Sequence, residues 1–224
     1  MANRQLLEQS VRIATDSVDL DGLLGVPAGA EGIVLFVHGS GSSRLSPRNS
    51  HVARCLRDAG IATLLFDLLT EREAADRANV FDMDLLARRL RAATAFVRRH
   101  EATARLRRAY FGASTGAAAA LIAAASDATI RAIVSRGGRP DLAGRALPLV
   151  QAPTLLIVGG DDLPVIRLNE QAYARLVCER ELRIVPGASH LFEEPGTLEE
   201  VTRLATEWFL RHVGRDAAAP ATGG

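Results

Sequence analysis

Short, predominantly apolar runs alternate along this chain with longer stretches whose apolar residues recur every three or four positions, and that alternation constrains the fold most. Runs at 33–37, 62–66, 107–111, 130–134, 154–158 and 182–185 have the length and composition of buried strands. Helical spacing is plainest for Leu85, Leu86, Leu90, Ala93 and Phe96, and again for Leu198, Val201, Leu204, Ala205 and Trp208. Around the second set, Glu199 and Glu200 stand near the start and Arg211 and His212 near the end, an order of charge that complements the helix dipole. A further helix is expected near 50–59, an opening hairpin over 11–15 and 18–26, and a polar connection over 70–79. Strands alternating with amphipathic helices predict an α/β fold, a mainly parallel twisted sheet with helices on both faces. A length of 224 residues suits one core, read here as a single domain over 1–216 with a frayed tail over 217–224. The stretch between the strands at 130 and 154 leaves no room for a helical cap domain.

Gly112-Ala113-Ser114-Thr115-Gly116 falls where one of these strands ends and an alanine-rich helix begins. A G-x-S-x-G turn in that setting is too tight for bulky neighbours and lifts its serine above the edge of the sheet, where the hydroxyl can act as a nucleophile. A bare match could be an ordinary tight turn; the strand-turn-helix context argues for more. A serine hydroxyl needs a base to take its proton, and His190 follows a later strand in Gly187-Ala188-Ser189-His190. His51, His100 and His212 lie in helical stretches and read as surface residues. The imidazole needs a carboxylate to fix its tautomer, and Gly159-Gly160-Asp161-Asp162 follows the preceding strand. Spacing does not separate the two aspartates; one is expected to face the histidine while the other caps the next helix. Backbone donors for an oxyanion are expected from the Thr115 amide and, in His38-Gly39-Ser40-Gly41, from the Ser40 amide. His38 reads as structural.

Composition narrows the chemistry further. Every one of the 27 basic residues is arginine, which excludes a lysine Schiff base, a pyridoxal phosphate anchor and a Walker-type phosphate loop. A formal charge of +1 gives no nucleic-acid footprint. Cys55 and Cys178 lie far apart without metal-ligand spacing, so each reads as a small buried hydrophobe, with no zinc site or disulfide indicated. The residues around Arg4, Glu8 and Arg12 contain no long apolar run, so no membrane span is expected and a cytoplasmic location follows.

Together the His38-Gly39-Ser40-Gly41-Ser42-Ser43-Arg44 loop, the Ser114 turn, the Gly159 to Asp162 turn and the Gly187 to His190 segment resemble the dienelactone hydrolase-like branch of the α/β-hydrolase superfamily, over roughly residues 11–213. The resemblance implies an α/β-hydrolase fold. It favours Asp162 over Asp161, because in that branch the acid comes second after the glycine pair. Dienelactone hydrolases proper use a cysteine nucleophile; Ser114 shifts the expected activity toward a general carboxylesterase acting on esters, thioesters or lactones of small substrates, with no metal or organic cofactor. Arg44, Arg48, Arg136 and Arg139 fall on or near loops, and Arg44 and Arg136 are candidates to bind an anionic substrate group, against the commoner fate of solvation or surface pairing.

Two other readings compete. Gly39-x-Gly41 with Asp67 after the next strand outlines a dinucleotide-binding oxidoreductase, although Arg44 occupies the third glycine position and Ser114 and His190 go unexplained. A non-catalytic binding or regulatory protein on a hydrolase scaffold is the other. The physiological substrate and the oligomeric state are not legible in the sequence.

Overall fold

The structure, a computed structural model, describes residues 6–214. Strands β1 (Leu6–Ala14) and β2 (Asp19–Pro27) pair antiparallel along their whole length, so β1 begins earlier than its own apolar pattern indicates. Then follow β3 (Gly32–Val37), α1 (Pro47–Asp58), β4 (Ala62–Phe66), α2 (Glu71–Ala74), α3 (Arg77–Val80) and α4 (Met83–Arg99). The second half comprises β5 (Arg107–Ala113), α5 (Thr115–Ala124), β6 (Ile130–Arg136), a 3-10 stretch over Pro140–Leu149, β7 (Thr154–Gly159), α6 (Leu163–Arg175), β8 (Arg180–Val185) and α7 (Thr197–Val213). The expected tail over 217–224 lies outside the described residues.

The strands form one sheet in the order β1-β2-β4-β3-β5-β6-β7-β8, parallel from β4 to β8 and antiparallel at the β1–β2 and β2–β4 pairings. From β3 the chain first winds outward to β4 and then returns to place β5 on the other side of β3. The direction of winding thus reverses between β3 and β5, and the loops leaving their carboxyl ends part to form a crevice. His38 to Ser43 leave β3, and Ser114 and Thr115 follow β5, so the topology brings the Ser40 and Thr115 amides, the two expected oxyanion donors, to that crevice. A short 3-10 stretch joins β6 to β7, and among the described residues no cap covers the crevice.

Apolar side chains fill both faces. Leu35, Leu64, Tyr110 and Ile133 lie in the core packed by α4, α5 and α6, while Phe36, Phe111, Val134 and Ile157 pack beneath α1 and α7. Adjacent strand residues part to opposite sides because side chains alternate along a strand.

Local chemistry moves several boundaries. α1 begins at Pro47 rather than near residue 50, because Ser46 accepts from the Asn49 amide at 3.4 Å and proline suits the first helical turn. The polar segment over 70–79 forms α2 and α3, the first closed by a capping box in which Thr70 and Glu73 each accept from the other's amide. His212 is a correction: its side chain is 12% exposed, packed 4.6 Å from the Trp208 ring. Cys55 and Cys178 are both half-buried free thiols. No helix among the described residues is long and apolar enough to cross a membrane.

Candidate active site

The turn after β5 is as tight as its sequence requires. Ser114 has φ 51° and ψ −123°, in the left-handed region that non-glycine residues avoid. The strain is held from several sides: the Ser114 amide donates to the Arg136 carbonyl at 3.3 Å, while its own carbonyl accepts from the Ala117 and Arg139 amides. A Cβ on Gly116 would lie 2.1 Å from the Val37 carbonyl oxygen, and one on Gly112 would lie 2.5 Å from the Ala117 Cα, so side chains at these positions would force α5 away from the strands.

The histidine loop reaches the same edge. A Cβ on Gly39 would come within 2.8 Å of the Ser114 Cβ, and one on Gly137 within 3.7 Å of the His190 Cε1. Ser114 is therefore flanked by the β3 loop on one side and by the β6 end, with His190 against it, on the other. Ser114 and His190 line one cleft of about 550 Å³ together with Gly39 to Ser43, Arg48 and Arg136.

The carboxylate question has a clear answer: His190 Nδ1 lies 2.7 Å from Asp162 Oδ2. A carboxylate only accepts, so the ring proton sits on Nδ1, and the neutral ring keeps its lone pair on Nε2. Close packing of the two loops makes this pair possible, since a Cβ on Gly159 would meet the Ala188 carbonyl at 2.3 Å and the Asp161 amide donates to that carbonyl. The expected division of labour between the aspartates needs correction. Asp162 stands at the N-cap position of α6 but makes no cap bond with its side chain, which goes to His190, while Asp161 is exposed.

Sequence reasoning missed two residues that hold this loop. Glu194 accepts from the Ser189 amide at 3.0 Å, and that bond draws its carboxyl below the usual range. Phe192, buried and at φ 56°, turns the chain back under the cleft. A Ser-His-x-Phe-x-Glu spacing carries no signal that separates these roles from ordinary packing.

The expected oxyanion donors occupy opposite sides of one contact. The Ser40 amide donates to the Thr115 hydroxyl at 3.2 Å, so in this structure a neighbouring side chain holds that amide. The Thr115 amide belongs to the first residue of α5 and has no carbonyl one turn back within the helix. His38 is structural, as expected: its Nε2 accepts from the Leu68 amide at 3.0 Å, which leaves the Nδ1 proton for the Gly39 carbonyl. Burial lowers its pKa and favours this neutral form.

The arginines divide. Arg44 faces a second cavity of about 500 Å³ on the far side of the Gly39 to Ser43 loop, where its amide and guanidinium both bond Asp67. Asp67 is thereby engaged, and the ribose-binding role of the dinucleotide reading loses its acid. Arg139 pairs with Asp141 at 2.8 Å. Arg136, 6% exposed, is the candidate that lines the Ser114 cleft. Among the described residues, no group of three or more histidine, cysteine or acidic side chains is placed to hold a metal ion.

The chain resembles known proteins at two levels. It is 55% identical over 213 residues to proteins from two strains of Mycobacterium tuberculosis that are provisionally named phosphoribosyl transferases, and it spans about half their length, 48%. No family model matches. Among solved structures, Est1E from Butyrivibrio proteoclasticus superposes with TM-score 0.76 at 16% identity, over 90% of this chain and 98% of that one, a likeness of fold alone. A dienelactone hydrolase from Anabaena variabilis superposes with TM-score 0.90 at 55% identity, over 93% of this chain and 99% of that one. On that likeness the chain belongs to the dienelactone hydrolase family of the α/β-hydrolase fold.

Proposed function

We propose that the chain is a serine hydrolase that cleaves carboxylic esters, or the related thioesters and lactones, of small substrates through an acyl-enzyme. The observation that carries this reading is the His190–Asp162 pair at 2.7 Å in a cleft that also exposes Ser114, held at positive φ. His190, its Nδ1 proton directed to Asp162, takes the Ser114 proton as the hydroxyl oxygen attacks the substrate carbonyl. The imidazolium then protonates the leaving group, and the same histidine activates a water that releases the acid. Asp162 holds the ring in one tautomer and balances its charge during both steps. The Thr115 amide and a Ser40 amide released from the Thr115 hydroxyl are suited to the developing oxyanion.

The transferase name of the mycobacterial relatives belongs to proteins about twice this length and is not carried over to this chain. Hydrolysis of short p-nitrophenyl esters, with covalent labelling by a fluorophosphonate, tests the reading. Ser114→Ala is expected to abolish labelling and lower turnover by about six orders of magnitude. An unlabelled wild-type protein with no hydrolysis would favour a binding protein on the same scaffold.

A further inference from the structure

The sheet ends at β8, and among the described residues no strand pairs with its outer edge. Backbone groups along β8 alternate in direction. The Glu179 carbonyl accepts from the Thr154 amide of β7 and the Val185 carbonyl from the Gly160 amide just past it, so the odd-numbered residues turn toward β7. Arg180, Leu182 and Ile184 therefore present their amides and carbonyls outward. Such an edge is a template for another strand, and folded proteins usually blunt it with proline, a bulge or charges that repel a copy. Arg180–Val185 contains no proline, pairs with β7 without a register shift, and carries charges of both signs.

The order of those charges selects the partner. Glu181 and Arg183 lie on the α7 side with Val185, their side chains 32% and 56% exposed. Leu182 lies on the α6 side, packed against the core, and Ile184 beyond it is 46% exposed. Arg183 and Ile184 emerge on opposite faces, so neither flanking helix covers that end of the strand. Laid antiparallel on a second copy with Leu182 opposite Leu182, β8 sets Glu181 of each strand against Arg183 of the other. Both ion pairs then fall at non-hydrogen-bonded positions, where facing side chains come closest, while Arg180, Leu182 and Ile184 exchange backbone bonds. Ile184 meets the aliphatic stem of Arg180, whose guanidinium lies 4.8 Å from the Tyr173 ring centroid. Moving the centre by one residue either way puts Glu181 against Glu181 or Arg183 against Arg183. Charge thus favours one register, and the strand carries its own complement. Within one chain Arg183 bonds Glu181 at 2.7 Å and Arg211 of α7 stands 3.3 Å from that carboxylate; exposed pairs of this kind exchange readily and can re-form across a two-fold axis.

We propose that β8 is a homodimerisation edge, at which two copies of the chain pair antiparallel about Leu182 and continue one sheet across both. The pairing requires nothing of the chemistry at Ser114, so its test stands whether or not esters are cleaved.

Analytical ultracentrifugation of the full chain across a dilution series supplies that test. The wild type is expected to be a dimer that dissociates on dilution. Glu181→Arg and Arg183→Glu, each of which sets like charges opposite one another twice, should each raise the dimer Kd by roughly 10- to 100-fold. The double variant Glu181→Arg/Arg183→Glu restores the complement and should return Kd to within a few-fold of wild type. The decisive arm mixes the two single variants: in this register they complement each other at both pairs, so two proteins that are monomeric alone should form a heterodimer. Circular dichroism melts confirm that each variant is folded. A wild type that is monomeric at about 100 μM, a range that captures weak specific dimers, would overturn the proposal. So would a dimer whose Kd ignores both single reversals, or single variants that weaken the dimer yet fail to pair when mixed.

Discussion

Two cavities lie back to back across the Gly39 to Ser43 loop, and their charges are opposite. The cleft holding Ser114 and His190 has Arg48 and Arg136 in its wall. The other has Asp19, Asp21, Asp67 and Glu71 around an apolar floor that includes Leu20, Leu68 and Leu86, with Arg44 bonded to Asp67. Each contains an arginine that looked alike in the sequence. One is neutralised within the fold; the other bonds the Asn49 amide oxygen and has no carboxylate partner among the described residues. The difference teaches that position on a loop does not decide whether an arginine is paired, because the fold supplies or withholds the carboxylate.

The largest effect that sharpens this contrast belongs to the aspartates. Of the two, only Asp162 contacts His190 of the basic cleft. Asp162→Asn is expected to reduce kcat by about four orders of magnitude with little change in stability, because the amide stabilises the wrong imidazole tautomer. Asp161→Asn, at an exposed side chain one residue earlier, should stay close to wild type. Steady-state kinetics of the two variants checks the assignment; comparable losses in both would place the acid elsewhere.

On the acidic side the expected effect is on stability. Arg44→Met removes the guanidinium from Asp67, whose side chain is 16% exposed, and leaves that carboxylate with the Arg44 amide alone. A loss of about 1–3 kcal/mol is expected in denaturant melts. Arg136→Met should move stability the other way, because a buried cation without a counter-charge is costly to hold, so the two arginines give shifts of opposite sign. A shared sign would erase the distinction between the cavities.

These contrasts also mark what the sequence could and could not say. That Ser114 and His190 meet at one cleft was legible because a glycine-flanked turn after a strand and a histidine after a later strand are local patterns with few physical meanings. The mainly parallel sheet with helices on both faces followed from alternating strands and helices, whereas the reversal of winding between β3 and β5 came only with the strand order. The Asp161 and Asp162 choice was not local, since adjacent residues share a loop and only the packing of Gly159 against Ala188 decides which carboxylate meets the ring. Arg44 and Arg136 were beyond reach for the same reason: their fates depend on partners 23 and 87 residues away, Asp67 and Asn49. The start of α1 was placed too late because the serine-proline pair ahead of the apolar pattern serves as cap and first turn.

The smallest expected effect concerns the wall that separates the cavities. Ser40 lines both cavities and Thr115 the acidic one, and the Ser40 amide donates to the Thr115 hydroxyl at 3.2 Å within that wall. A neutral hydrogen bond of this kind is worth about 0.5–1.5 kcal/mol net. If the Ser40 amide must leave the Thr115 hydroxyl to meet the oxyanion, Thr115→Val removes a competitor of similar shape, and kcat should rise by roughly two- to ten-fold. Thr115→Ser keeps the acceptor and should retain the wild-type rate. A fall in kcat for the valine variant, with the serine variant unchanged, would mean that the hydroxyl instead holds the amide where the oxyanion needs it, and the bond between the two loops would then be preorganisation rather than a latch.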